Sequence, residues 1–348
     1  MTAPGSVLRA VRLRRERVSL RVHPRSVVVC AALAVLLLVP AALLMTLGDR
    51  FIGLPTVIGT ILEGGRSQFV VVQLRLPRML TGLLVGFALG VSGAMLQRLT
   101  RNPLGSPDVV GLTVGAATGA LLVILVFGGA MVSVAVGALV GGLLATVVVY
   151  ALSYRRGVQS FRLILVGLGV GAGLEAVNAY LITRADLDAA RTAQVWLTGS
   201  LNNRGWEDVL AIAAAVVVLV PVALRVGRGI PLLELGDDAA RARGLSVEST
   251  RLGLVLVSVG LAAVATAAAG PISFIALAAP QVALRLTRSP GPGLVAAGLT
   301  GALMLSLSDL AAQHVIPGVA LPVGLATGVV GGSYLVWLLV REFRSRPE

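Results

Sequence analysis

The sequence predicts an all-α protein that crosses a membrane about ten times, and three observations carry this prediction. Of its 348 residues, 56% are hydrophobic and only 13% are charged, whereas a soluble domain of this size needs more charge on its surface. Apolar runs of about 20 residues, enough for a helix to cross about 30 Å of hydrocarbon, recur along the chain. Many of the 42 glycines are spaced as in closely packed membrane helices. These observations argue against a water-soluble enzyme.

Arginine supplies all 29 strongly basic residues, because the sequence contains no lysine. A chain without lysine cannot build the G-x-x-x-x-G-K loop that cradles ATP phosphates, nor form a Schiff base. His23 and His314 are far apart, and Cys30 forms no C-x-x-C pair, so the usual clustered metal sites are not expected. We therefore expect no catalytic, cofactor-binding or metal-binding residues here, and any ATP that drives this protein must be hydrolysed by another chain.

Apolar runs place the predicted membrane helices in order along the chain. The ten runs lie near residues 27–47, 76–97, 107–127, 130–152, 160–182, 207–226, 251–270, 272–287, 292–312 and 320–340. The eighth is the least regular, because Pro271 and Pro280 bracket it and favour a short or broken helix inside the bundle. The runs predict one transmembrane domain over residues 27–341, between a basic tail at 1–26 and a short tail at 342–348.

The basic tail orients the predicted helices. Arginines crowd it from Arg9 to Arg25, and arginine is retained on the cytoplasmic side of membranes. With an even number of spans, both termini are predicted to be cytoplasmic in a multi-pass protein of the cytoplasmic membrane. The first run is too long for a signal peptide and lacks its cleavage site. The tail also lacks interleaved aromatic residues, which favours contact with anionic lipid over nucleic acid.

Glycines four residues apart predict where helices pack closely. Small residues at this spacing let backbones approach in a membrane, where no hydrophobic effect drives helices together. One face of the second span carries Gly82, Gly86, Gly90 and Gly93, and one face of the third carries Gly111, Gly115 and Gly119. The pattern predicts a tight bundle without indicating a function.

Two non-helical stretches are predicted at the ends of the second span. RLPR at 75–78 leads into the span, with Pro77 suited to the first turn of a helix. Its arginines, Arg75 and Arg78, are interpreted either as anchors at the membrane interface or as an ion-pairing site for carboxylates of an external partner. RNPLGSPD at 101–108 follows the span, and its two prolines and glycine predict a rigid turn.

A third stretch, residues 231–250, joins the sixth and seventh spans. It is polar, has helix-forming residues on both sides of Gly236 and a stop signal at Gly244. This composition is consistent with a short surface helix that docks a second protein, and also with a solvated loop.

Six ordered motifs covering nearly the whole chain resemble the iron-siderophore and vitamin B12 permease family of ABC importers. They are RLPR at 75–78, G-x-x-L-G-x-S-G-x-x-x-Q from Gly86 to Gln97, RNPLGSPDVVG at 101–111, LGDDAARARGLSVESTR at 235–251, AGPISFIALAAPQ at 269–281 and LPVGLATGVVGG at 321–332. The resemblance implies a type II ABC importer permease fold of ten helices. It also implies three kinds of partner: an ABC ATPase dimer, a second permease subunit and an external substrate-binding protein.

Other stretches are most similar to the ferric-enterobactin branch of the family. They are FRLILVG at 161–167, LTGSLN at 197–202, LLELGDDAA at 232–240 and GPISFIALAAP at 270–280. This similarity implies a heterodimer of two different permeases and a ferric siderophore of the catecholate class as the substrate. Relatives with much the same motifs carry hydroxamate chelates, haem or cobalamin, and these substrates stay open as alternatives.

The resemblance also assigns roles to individual residues. Arg75 and Arg78 match the arginines that receive carboxylates of the binding protein. The residues matching the segment that couples to the ATPase are Leu235, Gly236, Asp237, Ala239, Ala240 and Gly244. Gln159 and Ser160, at the start of the fifth span, fall where the family narrows its cytoplasmic gate.

Three positions depart from the family pattern. Gln281 stands where the family often has His, Gln313 where a third external arginine is common, and Ala320 where an acid often precedes LPVG. The missing arginine favours a heterodimer, in which the partner permease supplies that contact.

Glu175, one turn before Asn178 in a membrane span, favours either a structural contact or a proton-coupled carrier that needs no ATPase. A membrane scaffold that transports nothing is the third class.

Overall fold

The computed structural model describes residues 11–15, 18–48, 50–129, 131–154, 160–288, 291, 293–316 and 321–344, and most of these are helical. Two short strands, β1 (Val11–Arg15) and β2 (Val18–Val22), pair as an antiparallel hairpin in the predicted basic tail. The described helices are α1 (Pro24–Thr46), α2 (Leu54–Glu63), α3 (Leu76–Thr100), α4 (Leu112–Leu125), α5 (Met131–Ser153), α6 (Ser160–Arg184), α7 (Leu187–Leu197), α8 (Trp206–Val226), α9 (Ile230–Glu234), α10 (Asp237–Ala242), α11 (Val247–Ala269), α12 (Ile275–Thr287), α13 (Leu294–His314) and α14 (Val323–Arg344).

Seven helical stretches in the described part of the chain are long and apolar enough to cross a membrane. They are Pro24–Thr46, Phe69–Thr100, Ser133–Ser153, Phe161–Arg184, Trp206–Glu234, Val247–Ala269 and Leu294–His314. At the third and eighth predicted spans, α4 and α12 have only 14 and 13 residues, or about 20 Å at 1.5 Å per residue. The structure therefore confirms a multi-span helical protein, whereas a total of ten crossings stays a prediction.

The third predicted span begins later than expected, at Leu112 rather than at residue 107. Pro107–Val110 forms a short 3₁₀ turn, and Gly111 adopts a positive φ of 76° before α4. Gly111 was predicted on a helix-packing face, and that prediction is wrong because the residue turns the chain into the helix. Gly115 and Gly119 do pack closely, since a Cβ on either would lie 2.7 Å or less from a backbone oxygen of α5.

The RLPR stretch is helical, which corrects the prediction of a break at residues 75–78. A π-helical turn over Phe69–Arg75 runs directly into α3, and the amide of Leu76 bonds five residues back to the oxygen of Val71. In the same register Pro77 has no N–H to donate to Val72. The indole of Trp206 supplies the missing donor, with Nε1 3.0 Å from the Val72 oxygen. A side chain from α8 therefore satisfies the carbonyl that the proline leaves without an amide donor.

Helix α3 lies at the centre of the bundle, in contact with α8, α11, α12 and α13. Three of the four glycines of its predicted face contact a neighbouring backbone: a Cβ would lie 2.5 Å from the oxygen of Gly301 at Gly86, 2.2 Å from that of Ala297 at Gly90, and 1.7 Å from that of Ala276 at Gly93. At the fourth, Gly82, a Cβ would meet the side chain of Leu201 instead. On its other side, Ser92 and Ser258 of α11 each donate a hydrogen bond to the other's backbone oxygen. Close backbone contact therefore surrounds α3 along much of its length.

Candidate docking and coupling sites

Arg75 connects the π-helical turn to the segment that follows α1. Its Nη1 donates to the oxygen of Met45 at 2.8 Å and its Nη2 to the oxygen of Arg50 at 2.7 Å. Gly48, with φ 154°, leaves the space that the guanidinium fills, since a Cβ there would lie 2.6 Å from Nη2. The first predicted docking arginine is thus held in place by backbone oxygens of its own chain.

Arg78, one turn further along, pairs with a buried carboxylate of α13. Its Nε and Nη2 donate to the two oxygens of Asp309 at 3.1 and 2.7 Å, and Asp309 is only 1% exposed. Gln313, where the family often has a third arginine, donates from Nε2 to the same carboxylate at 2.9 Å. Two-point geometry of this kind fixes both the position and the plane of a guanidinium.

These arginines border a cleft of about 1230 Å³, which we call the arginine cleft. Its polar lining residues are Arg50, Gln73, Arg75, Arg78, Asn202, Asn203, Arg204, Asp309, Gln313 and His314. The lining therefore contains four guanidinium groups and one carboxylate, and that carboxylate is already bonded to Arg78. A cleft with this excess of positive charge attracts anionic groups.

The loop between α7 and α8 forms one wall of the arginine cleft, and sequence reasoning had not placed it there. Arg204 is buried in this loop, where Nε and Nη2 each donate to the oxygen of Ser200 at 3.2 Å and Nη1 lies 3.8 Å from Asp208. Burial lowers the pKa of Arg204, and Asp208 partly opposes that shift. The LTGSLN motif at 197–202 was the only sequence signal for this wall.

At the far end of α3, the predicted 231–250 stretch contains two short helices, α9 and α10, rather than one. Gly236, at φ 103°, separates them, and Gly244, at φ 80°, follows the second. Asp237 bonds Arg251 of α11 at 2.8 Å, which holds α10 against the start of that helix. The predicted surface helix is present, in two pieces hinged at a glycine.

The six predicted coupling residues divide into exposed and packing positions. Leu235, 56% exposed, and the exposed Ala239 and Gly244 offer a surface to a partner. Ala240 is fully buried, so its place in the motif is explained by packing of α10 rather than by direct contact.

The predicted gate is only partly described. Gln159 lies outside the described residues, and Ser160 is the first residue of α6. On the same helix Glu175 is exposed, and within the described residues no hydrogen bond or ion pair to it is found, so the structure gives no support for a contact to a neighbouring helix. Asn178 is buried, with its Oδ1 unbonded among those residues.

The glutamine at position 281 takes part in a buried network rather than facing solvent alone. Its Nε2 donates to Oε1 of Gln97 at 2.7 Å, and Gln97 donates from Nε2 to the oxygen of Leu277 at 2.9 Å. Gln97 ends the motif that begins at Gly86. The departure from histidine is therefore accommodated by an amide pair that joins α3 to α12.

The chain is thus a helical bundle with a basic cleft at one end of its central helix α3 and the α9–α10 segment at the other. Comparisons with known proteins identify its class. The model of the FecCD transport family matches residues 32–341. The chain is 47% identical over 277 residues to the ferric enterobactin transport system permease of Escherichia coli, covering 80% of this chain and 84% of that one.

Two further comparisons extend over most of the chain. The Fe(3+)-citrate import system permease of Bacillus subtilis is 34% identical over 329 residues, which cover 94% of this chain and 98% of that one. A metal-chelate type ABC transporter solved in an inward-facing conformation superimposes with a TM-score of 0.82 at 26% identity, over 90% of this chain and 99% of that one.

The chain belongs to the FecCD transport family. It is a membrane permease of the ABC iron-siderophore importers and not an enzyme, because ATP hydrolysis in these transporters is carried out by a separate ATPase. The family membership replaces the hypotheses of a proton-coupled carrier and of a scaffold.

Proposed function

We propose that this chain moves a ferric siderophore of the catecholate class, enterobactin-like, across the cytoplasmic membrane as one permease of an ABC importer. The observation that carries this proposal is the 47% identity to a ferric enterobactin permease. Membership of the family does not by itself identify the substrate class, since a relative at 34% identity is a ferric citrate permease. Haem and cobalamin remain the alternatives within the same fold.

The arginine cleft is proposed as the docking site of the external binding protein, through Arg75 and Arg78. Its excess of guanidinium groups supports this role, because carboxylates of a partner would be attracted to it and would set the docking register. Asp309 accepts from Nε and from one N–H of Nη2 of Arg78, so a partner carboxylate would bind the remaining N–H groups on Nη1 and Nη2. This role places the cleft outside the cell and both termini in the cytoplasm.

The α9–α10 segment, with Leu235, Gly236, Asp237, Ala239, Ala240 and Gly244, is proposed to couple this chain to the ATPase. In this proposal the exposed Leu235, Ala239 and Gly244 make the contact, and the buried Ala240 packs α10 in place. Support comes from the exposed side of the segment and from its glycine hinge. ATP binding would bring two ATPases together and displace this segment. Gln159 and Ser160 are proposed to line the cytoplasmic gate that this displacement opens or closes.

The transport cycle is proposed to be alternating access in a pathway shared with a second permease. A ligand or nucleotide moves such an equilibrium only by binding one conformation more tightly than the other. The replacement of an external arginine by Gln313, which here bonds Asp309, supports a different permease as the partner, so we propose a heterodimer.

Uptake of labelled chelates tests the proposed substrate. Cells lacking this chain, and the same cells with it restored, are offered ⁵⁵Fe as enterobactin, citrate or hydroxamate complexes, and separately labelled haemin and cobalamin. Selective loss and recovery of the enterobactin complex is the expected result. Selective recovery of another compound would reassign the substrate and leave the family membership intact.

A further inference from the structure

The π-helical turn and α3 form one continuous helical stretch that joins the two proposed functional ends. It runs over Phe69–Thr100, 32 residues, or about 48 Å at 1.5 Å per residue. Most of it is buried, and the glycine contacts described above hold it against α12 and α13. A helix enclosed in this way moves as a unit rather than by bending, because close-packed interiors transmit displacement.

The end of α3 that is distant from the arginine cleft is bonded to α9 by two arginines. Nη1 of Arg98 lies 3.0 Å from Oε1 of Glu234, the last residue of α9. Nη2 of Arg98 donates to the oxygen of Gly291 at 3.1 Å. Arg101 donates from Nη2 to the oxygen of Leu233. Two consecutive residues of α9 are thus bonded to side chains of one helix end.

The geometry of the α3 terminus aims Arg101 at α9. Arg101 has a positive φ of 52°, and the amide of Asn102 bonds back to the oxygen of Gln97 at 3.1 Å. This is the hydrogen bond that closes a helix end with a left-handed residue. The direction of the Arg101 side chain is therefore set by the helix itself.

A cavity of about 360 Å³ is lined by residues of α3, α9 and α12. Its lining includes Arg98, Arg101 and Glu234, together with Gln281 and Leu284 of α12. Here α9 is connected to α3 by polar bonds next to this cavity. The open volume leaves room for α9 to change position together with α3.

We infer that the Arg98–Glu234 ion pair, with the bond from Arg101 to Leu233, fastens α9 to α3 and transmits movement between the arginine cleft and the α9–α10 segment. This inference rests on the proposed function, because it assigns the two ends their roles. Arg98 and Glu234 act as positioning residues, since they act through α9. Their side chains are 24% and 34% exposed, so the pair can be exchanged without creating a buried charge.

A charge exchange tests the pair with Arg98→Glu, Glu234→Arg and the double variant, all in the full transporter complex purified through a tag on this chain. Hydrogen exchange over residues 230–243 measures how firmly α9 is fastened to α3. Uptake of ferric enterobactin by cells measures whether this fastening is needed for transport. Each single change is expected to speed hydrogen exchange and to lower uptake about tenfold. The double variant is expected to restore most of the slow exchange and most of the uptake, as for residues in direct contact. Arg191→Glu, which breaks an exposed ion pair with Asp188 in α7, is the matched control and should change neither.

The outcomes separate the inference from the proposed function. Unchanged exchange in the single variants, or a double variant no better than they are, overturns the fastening. Faster exchange with normal uptake overturns the transmission. If a reversed charge keeps the chain out of the membrane, Arg98→Gln and Glu234→Gln remove the pair without repulsion and are judged by the same measurements. A wild-type chain that imports no ferric enterobactin contradicts the proposed substrate alone, because hydrogen exchange still decides whether the pair fastens α9.

Discussion

The two ends of α3 hold their arginines in different ways. At the arginine cleft, Arg78 bonds a carboxylate that is 1% exposed, and Arg75 bonds two backbone oxygens. At the other end, Arg98 bonds a carboxylate that is 34% exposed. The first arrangement fixes the guanidinium groups before a partner arrives, whereas the second can break and reform in water.

This difference fits the two tasks proposed for these ends, docking of a binding protein and coupling to an ATPase. A docking surface binds more tightly when its charged groups are already ordered, because less conformational entropy is lost on association. A segment that couples to an ATPase must instead change position. The α9–α10 segment is short, and its two helices are separated by Gly236, whose φ of 103° favours glycine. In this proposal, the buried partner of Arg78 orders the docking surface, whereas the exposed partner of Arg98 fastens α9 to α3 by a bond that does not require burial.

The largest effect is expected from Arg78→Glu, which places a second carboxylate against Asp309. Breaking a buried ion pair costs about 3–5 kcal/mol, so this variant should lose uptake and much of its amount in the membrane. Arg78→Glu combined with Asp309→Arg restores the pair with its charges exchanged. If Arg78 receives a binding protein, the exchange restores the amount of protein without restoring uptake.

The amount of chain in membranes, the co-purified ATPase and the uptake of ferric enterobactin are the three measurements. Full recovery of uptake in the exchanged variant would show that Arg78 is structural. The double change Arg75→Glu with Arg78→Glu is also expected to abolish uptake, but it removes two internal contacts as well. Only the exchange of Arg78 with Asp309 separates docking from stability.

Much of the fold could be predicted from local patterns in the sequence. The apolar runs predicted helices close to where they lie, and the spacing of Gly86, Gly90 and Gly93 predicted a packing face, because both signals depend on neighbouring residues. The π-helical turn could not be predicted, since it depends on a hydrogen bond from Trp206 to Val72 across 134 positions. Pro77 alone was consistent with an ordinary first turn.

The candidate sites were predicted as residues but not as contacts. Arg75, Arg78 and the α9–α10 residues came from motifs, whereas the partner of Arg78 lies 231 positions away and the partner of Arg98 lies 136 positions away. Sequence spacing carries no information on pairs at such distances. The place of Arg204 in the cleft was missed for a related reason. Its bond to the oxygen of Ser200 is local, but the tertiary packing that brings this loop to α3 and α13 leaves no signal in the local sequence.

A smaller effect is expected from Gly236→Pro, which tests whether the hinge between α9 and α10 is needed for coupling. Proline fixes φ near −65°, and it removes the amide that bonds the oxygen of Leu233 at 3.2 Å. The strain is about 1–3 kcal/mol, so the chain should still insert while ATP hydrolysis by the complex no longer drives import.

The control for this prediction is Gly128→Pro, in the loop between α4 and α5, where φ is 58°. Proline at this position also requires a negative φ where the backbone has a positive one, but far from the α9–α10 segment. ATP hydrolysis and import should therefore stay coupled in this variant. Import that persists in Gly236→Pro, with the ATPase still bound, contradicts the coupling role of the hinge. Equal loss of import in both variants would point to folding strain instead.

The smallest effect is expected from Trp206→Phe, which removes the hydrogen bond to the oxygen of Val72 and keeps most of the ring. Because Pro77 has no N–H, no neighbouring amide replaces the lost donor, and a hydrogen bond of this kind contributes about 0.5–1.5 kcal/mol. The melting temperature of the purified chain should fall slightly, and the π-helical turn should hold Arg75 less firmly. Ferric-enterobactin uptake at limiting binding protein should then drop severalfold, with little change at saturation. Trp196→Phe removes the same atoms from the separate cluster of α4, α5 and α7, so equal losses of uptake in both variants would point to a general loss of stability and contradict a specific role of the bond to Val72.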